Sequence, residues 1–129
     1  MNIAWIAGFF DGEGCVHIAQ KGRGMRLCIT QKNRDILDLI KAFYGFGTVV
    51  GVKTKFGTVC HSWRSNKKSD MLRFLRSIRQ YSICKRKDIE IGLLYLKTID
   101  EKRHGSHRLN TSILARRENL RTLLKSNRK

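Results

Sequence analysis

Two carboxylates, Asp11 and Glu13, stand among glycines in the segment Asp11-Gly12-Glu13-Gly14. They end a run of eight apolar residues, Ile3-Ala4-Trp5-Ile6-Ala7-Gly8-Phe9-Phe10, with Asn2 placed as an N-cap. The small residues Ala4, Ala7 and Gly8 recur at helical spacing, so one stripe of this helix has almost no side chain. Such a stripe lets a second helix approach closely. Two copies packed through it would bring their carboxylate ends together near a twofold axis. Like charges so placed need cations between them, and Mg²⁺ prefers carboxylate oxygens together with water and phosphate. A bound divalent ion activates water, polarises a scissile phosphate and stabilises the leaving oxygen.

The surrounding charge fits a phosphate-bearing partner. Residues 1–20 hold those two acids and no Lys or Arg. All 27 Lys and Arg and the other eight of the ten acids lie beyond residue 20, so that stretch carries +19 of a whole-chain +17. Nucleic acid is the first candidate, because its phosphates exchange condensed counterions for Lys and Arg. A membrane surface is the second and an acidic protein the third. The 129 residues suit one domain with one core, and 41% hydrophobic content argues against disorder. No apolar run approaches the roughly 20 residues of a membrane span, and with nucleic acid favoured over a membrane surface, no membrane partner is expected. The first residues lack the basic region of a signal peptide, so the expected setting is non-secreted and reducing: a phage or bacterial cytoplasm, or an organelle.

The cysteines, Cys15, Cys28, Cys60 and Cys84, include no C-x-x-C pair, which argues against a zinc ribbon. They read as reduced, half-buried small hydrophobes. His104-Gly105-Ser106-His107 has a metal-compatible spacing but falls in a Gly/Ser-containing break, and reads better as a solvated loop.

The elements that must position these residues follow from periodicity. The apolar helix is buried all round and stopped by Gly12 and Gly14. Cys15–Gln31 alternates as two strands about a turn at Lys21-Gly22-Arg23-Gly24. Asn33 caps a helix over 34–44, ended by Gly45. A second hairpin, 48–53 and 58–64, turns at Lys55-Phe56-Gly57. Ser69 caps a helix to about Arg79, a link runs over 81–85, and helices follow over 87–102 and 111–125. The expected architecture is α+β: an α-β-β-α-β-β-α core with a four-stranded antiparallel sheet, helices on one face, and C-terminal helices. The core occupies 1–102, with 103–129 a helical extension of the same domain.

The nine residues Ile6-Ala7-Gly8-Phe9-Phe10-Asp11-Gly12-Glu13-Gly14 resemble the LAGLIDADG signature of homing endonucleases. Phe9 and Phe10 stand at hydrophobic positions, Gly12 replaces the second Ala, and Glu13 the second acid, a variant familiar in the family. With the expected order of elements the resemblance spans roughly residues 3–100. It includes Ile29-Thr30-Gln31-Lys32-Asn33 and the Lys85 region, and implies the homing-endonuclease fold.

The resemblance also implies roles. Glu13 binds a divalent cation, Mg²⁺ or another such as Mn²⁺, with help from the Gly12 carbonyl. Asp11 is a helix-end and interface residue beside Ala4, Ala7 and Gly8. Gln31 lies near the active-site water network, although it reads equally as a strand-end residue bonding its turn. Lys85 stabilises charge or activates solvent, or else is one more contact in a basic run. A further basic position falls on Arg34, with Asp35 a rival occupant. Only one motif is present, since Ile91-Gly92-Leu93-Leu94-Tyr95-Leu96 lacks the Gly-acid-Gly end. One carboxylate per chain does not build a paired site, so the single motif implies a homodimer and a near-palindromic target.

The implied activity is metal-dependent hydrolysis of double-stranded DNA at a long, specific site, leaving 3′ overhangs. The alternatives are an intron RNA maturase, which would bind RNA, and a non-catalytic DNA-binding protein. A strand of about eight residues at ~3.3 Å each follows about eight base pairs of major groove. The polar side of the alternation would face it: His17, Lys21, Arg23, Arg26, Cys28 and Thr30 on the first hairpin, Lys53, Lys55, Ser62 and Arg64 on the second. Arg26 and Arg64 are the candidates for guanine, because a guanidinium bonds O6 and N7 together. Val50 and Val52 would meet thymine methyls.

Overall fold

In a computed structural model, which describes residues 1–99 and 111–127, the Asn2 side chain accepts a hydrogen bond from the Trp5 N–H at 2.8 Å. It thereby caps helix α1, Ile3–Glu13. The helix runs through Gly12 rather than stopping there, and Gly14 closes it by donating to the Phe10 carbonyl. Gly14 is also the first residue of strand β1, Gly14–Ile18. A side chain at Gly14 would collide with the Phe10 ring, so helix and strand meet without a linker only because this position is glycine.

Strand β2 is Met25–Gln31, β3 Thr48–Lys53 and β4 Val59–Ser65. The four form one antiparallel sheet in the order β1-β2-β4-β3. Val16, Ile18, Met25, Leu27, Ile29 and Trp63 point to one face and are buried there. Helices α2 (Arg34–Tyr44), α3 (Lys68–Ile78) and α4 (Arg86–Ile99) join α1 in building the core. Phe74 of α3 is the hub of its aromatic part. Its ring centroid lies 4.9 Å from Tyr44, 5.0 Å from Trp63 and 5.4 Å from Phe10. The α+β class, the single antiparallel sheet and its one-sided helices are as the periodicity predicts.

Two details depart from expectation. Ser69 does not cap α3: the helix begins at Lys68 behind Lys67, which makes no side-chain cap bond. Lys67 starts the first turn through its carbonyl, which accepts from the Met71 N–H at 2.9 Å. The first hairpin also turns through a short 3₁₀ segment, Gln20–Gly22, with Lys21 and Gly22 both at positive φ. His104, His107, the expected break over 103–110 and the boundary between 102 and 103 lie outside the described residues. Among the described residues, no helix is long and apolar enough to cross a membrane.

The last helix, α5 (Thr111–Ser126), packs on that first turn and on α4. Arg117, 4% exposed, stacks its guanidinium 4.9 Å from the Tyr95 ring centroid and donates to the Thr98 hydroxyl at 2.7 Å. Tyr95 in turn donates to the Gly22 carbonyl at 2.8 Å. Gly22 lies so close to Arg117 that a side chain there would collide with it. The helix therefore braces the turn that carries Lys21 and Arg23. Arg117→Met keeps the stem but loses the charge-assisted bond and the ring stack. Denaturant unfolding is expected to show a loss of about 2–3 kcal/mol.

Candidate active site and outer sheet face

The end of α1 places its two carboxylates in different surroundings. Glu13 is exposed at the last helical position, and nothing of its own chain lies within 4 Å of the space where a Gly12 side chain would sit. Asp11 turns the other way, into the link between α3 and α4. Its Oδ2 accepts from the N–H of Ile83 at 2.8 Å and of Cys84 at 3.3 Å. Its Oδ1 accepts from the Lys85 N–H at 3.1 Å and from the Ser82 hydroxyl. Partial burial pushes the Asp11 carboxyl up, but these four donors together hold it below the ordinary carboxylate value.

Lys85 completes the contact. Its Nζ donates to the backbone carbonyl of Asp11 at 2.7 Å, one of the carbonyls that a helix C-terminus leaves open to cations. A link more than 70 residues away in sequence thus delivers an ammonium to the end of α1. Asp11 is a helix-end residue, and its carboxylate is engaged by four donors of its own chain. Ser82 is the residue that sequence reasoning missed. It is fully buried against Asp11, and its only sequence signal is a hydroxyl shortly before a helix start.

The small-residue stripe is narrower than expected. Ala4 and Gly8 are exposed, and so is Gly12 one further step along the same line. Ala7 is fully buried in its own chain's core with Ile6 and Phe10, so it is not available to a partner. Trp5, 44% exposed, stacks on Phe9 with centroids 5.1 Å apart beside the stripe. Within the single chain α1 is covered on one side only. Gln31 folds onto its own strand end, its side-chain oxygen accepting from the Lys32 N–H at 2.8 Å. Arg34 pairs with Asp38 at 3.4 Å, while Asp35 donates its backbone N–H to the Asn33 cap.

The face of the sheet away from the helices carries most of the predicted groove set. Strand register places His17 opposite Arg26, Cys28 opposite Arg64, and Thr30 opposite Ser62. Val50 and Val52 fall on the same side, opposite Ser62 and Cys60. His17 and Thr30 are exposed; Arg26, Cys28 and Arg64 are half-buried. Arg26 buries its Nε without a hydrogen-bond partner, leaving that donor unused. Lys21 and Arg23 ride on the first turn, and Lys55 on the second, 5.4 Å from the Phe56 ring.

Two members of that set differ from expectation. Ser62 faces the right way but is 1% exposed, shared between the Thr30 hydroxyl at 3.5 Å and Arg64 Nε at 3.4 Å. It orients Arg64 rather than reaching outward itself. Lys53 pairs with Val59, one step out of phase with Ser62 and Arg64, so the alternation places it on the other side of the sheet. Cys28 sits directly across from Cys15, and its thiol is pushed well up, first by a side-chain hydrogen bond with the free Cys15 thiol and then by burial.

Known proteins share both the motif and this architecture. Residues 1–90 match the family described as the LAGLIDADG-like domain. An intron-encoded DNA endonuclease, ai2b of Dictyostelium discoideum, is 28% identical over 98 residues, 73% of this chain and 37% of that protein. The LAGLIDADG meganuclease I-AabMI, in a structure bound to uncleaved DNA, superposes with a TM-score of 0.80 and 25% identity. That match covers 96% of this chain and 45% of the meganuclease. The archaeal intron-encoded homing endonuclease I-Vdi141I, complexed with DNA, gives a TM-score of 0.76 at 21% identity over 97% of this chain and 82% of its own. The chain thus spans well under two thirds of the first two proteins and most of the third. With the family match running over residues 1–90 and a matching fold along nearly its whole length, the chain belongs to the LAGLIDADG-like family.

Proposed function

We propose that this chain is a subunit of a site-specific, double-strand DNA homing endonuclease that acts as a homodimer. The observation that carries the proposal is the end of α1. An exposed Glu13 stands on a helix whose uncovered stripe is Ala4, Gly8 and Gly12, with the Lys85 ammonium fixed to the same helix end. Among the described residues, no three His, Cys, Asp or Glu side chains converge as a metal site. One open carboxylate per chain nevertheless suits Mg²⁺, which takes one or two carboxylates and completes its shell with water and phosphate.

The Glu13 carboxylate and the Gly12 carbonyl would hold the ion, Mg²⁺ or Mn²⁺. When bound, such an ion supplies an activated water and polarises the phosphodiester. The chain's own residues do the rest. Lys85 stabilises the negative charge that builds on the phosphate, and Gln31 at the end of β2 orients solvent. Paired subunits would present two such centres and two copies of the outer sheet face. That arrangement supports a long, near-palindromic target and cuts on both strands that leave 3′ overhangs.

The experiment is selection of cut sites by the purified protein with Mg²⁺ from a randomised duplex library. A single recovered site with two-fold sequence symmetry supports the proposal. Recovery of no cut duplex overturns it. The same library tests the sheet. Arg64→Ala is expected to relax the preference at one position per half-site, costing about 1–3 kcal/mol of base discrimination while most other positions keep theirs.

A further inference from the structure

Asp11 lies between the two parts that the proposed chemistry needs. It precedes Glu13 by two residues on α1, and its carboxylate takes the N–H groups of Ile83, Cys84 and Lys85 in succession. Those donors lead directly into α4, where a carboxylate is favoured by the open N–H groups of the helix start. A helix cap alone would end the account there. The same residue, however, also accepts the Lys85 ammonium on its backbone carbonyl at 2.7 Å. Asp11 is therefore held to the link at two points, main chain and side chain. The buried Ser82 hydroxyl adds a fourth donor to its carboxylate from the same link.

We infer that Asp11 is a positioning residue for cleavage: by clamping residues 82–85 to the end of α1, it holds the Lys85 ammonium at the helix end that carries Glu13. The inference rests on the reading of Lys85 as a catalytic group. It assigns the first acid of the motif to aligning the lysine and leaves the metal to the second. The geometry also explains why an acid suits this position. Two oxygens meet four donors in pairs, and an amide offers only one oxygen. Asp11→Asn would turn its NH₂ group toward two N–H or O–H donors.

The test is single-turnover cleavage of the selected duplex with Mg²⁺ at saturating protein, with duplex affinity measured beside it. Asp11→Asn is expected to cut roughly 10–100-fold more slowly while its Kd for the duplex moves by less than about three-fold. A role in folding alone would not give that split. The deciding measurement is a double-mutant cycle with Lys85→Ala. If Asp11 acts through Lys85, adding Asp11→Asn to Lys85→Ala costs no further rate. Multiplying losses would overturn the inference while leaving the reading of Lys85 intact. A Lys85→Ala protein that cuts at the parental rate would overturn that reading and the inference with it. Ser82→Ala removes one donor only and keeps the test usable should Asp11→Asn fold poorly. It is expected to slow cleavage less, with the same disappearance in the Lys85→Ala background.

Discussion

A Glu13→Gln protein is expected to hold its DNA site as tightly as the parent and to cut it at least about 10³-fold more slowly. The fold has little stake in this side chain. Glu13 is exposed at the last position of α1, and the neighbouring Asp11, not Glu13, makes the tertiary contacts that fix the helix end. Gln keeps the size and loses the charge. Removing a negative charge from a DNA-facing surface favours binding if it changes it at all. Cleavage behaves differently, because a neutral amide is a poor ligand for Mg²⁺ and the metal's contribution is worth several kcal/mol, with each ~1.4 kcal/mol a factor of ten. Gel-shift affinity and single-turnover rate on the same duplex separate the two effects. Cutting at the full rate by Glu13→Gln would show that the second acid of the motif is not the reaction centre.

The division of labour between these two acids was only half legible in the sequence. The acid-Gly-acid-Gly end of an apolar helix, Asp11-Gly12-Glu13-Gly14, is a local pattern, and so is the alternation that places Arg26, Cys28 and Thr30 on one face of β2. The target of the Asp11 carboxylate is not local. Its donors lie 71 to 74 positions away, and no periodicity within α1 encodes them. Ala7 shows a different limit. Small residues at helical spacing mark a possible stripe, but an Ala serves equally well under a sheet, and Ile6 and Phe10 pull it inward. Lys53 shows a third. It follows Val52 directly on β3, so the alternation that turns Val50 and Val52 outward turns Lys53 to the other face. The sheet itself was readable because each strand obeys its own alternation. The exact membership of its outer face waited on register.

The charge pattern acquires a geometry from the same result. The acidic first 20 residues supply α1 and β1, and the basic remainder supplies the turns, the other strands and Lys85. Of the two acids in that first stretch, one has its carboxylate engaged internally by four hydrogen-bond donors. Glu13 is left as the carboxylate free to meet a cation where phosphate would lie.

Gly8→Arg is expected to convert the protein from dimer to monomer and to abolish double-strand cleavage, without unfolding the subunit. In the single chain nothing lies within 4 Å of the space that a Gly8 side chain would enter. The position is an exposed helix interior, where Arg is favoured over Gly by up to about 1 kcal/mol. The subunit therefore tolerates the change or gains slightly from it. A paired α1 does not. Ala4, Gly8 and Gly12 follow one another at intervals of four along the uncovered stripe, which allows two backbones to approach closely. Two long guanidinium side chains would then face each other across the twofold axis in the space that the missing side chains leave. Sedimentation velocity reads the assembly state, and thermal unfolding reads the subunit. Ala42→Arg, on the exposed side of α2, is the matched control and should leave both assembly and cutting unchanged. A Gly8→Arg protein that remains dimeric would place the contact elsewhere on the molecule. A parent that sediments as a monomer and still cuts both strands would remove the need for a second Glu13, and with it the argument that one motif requires two chains.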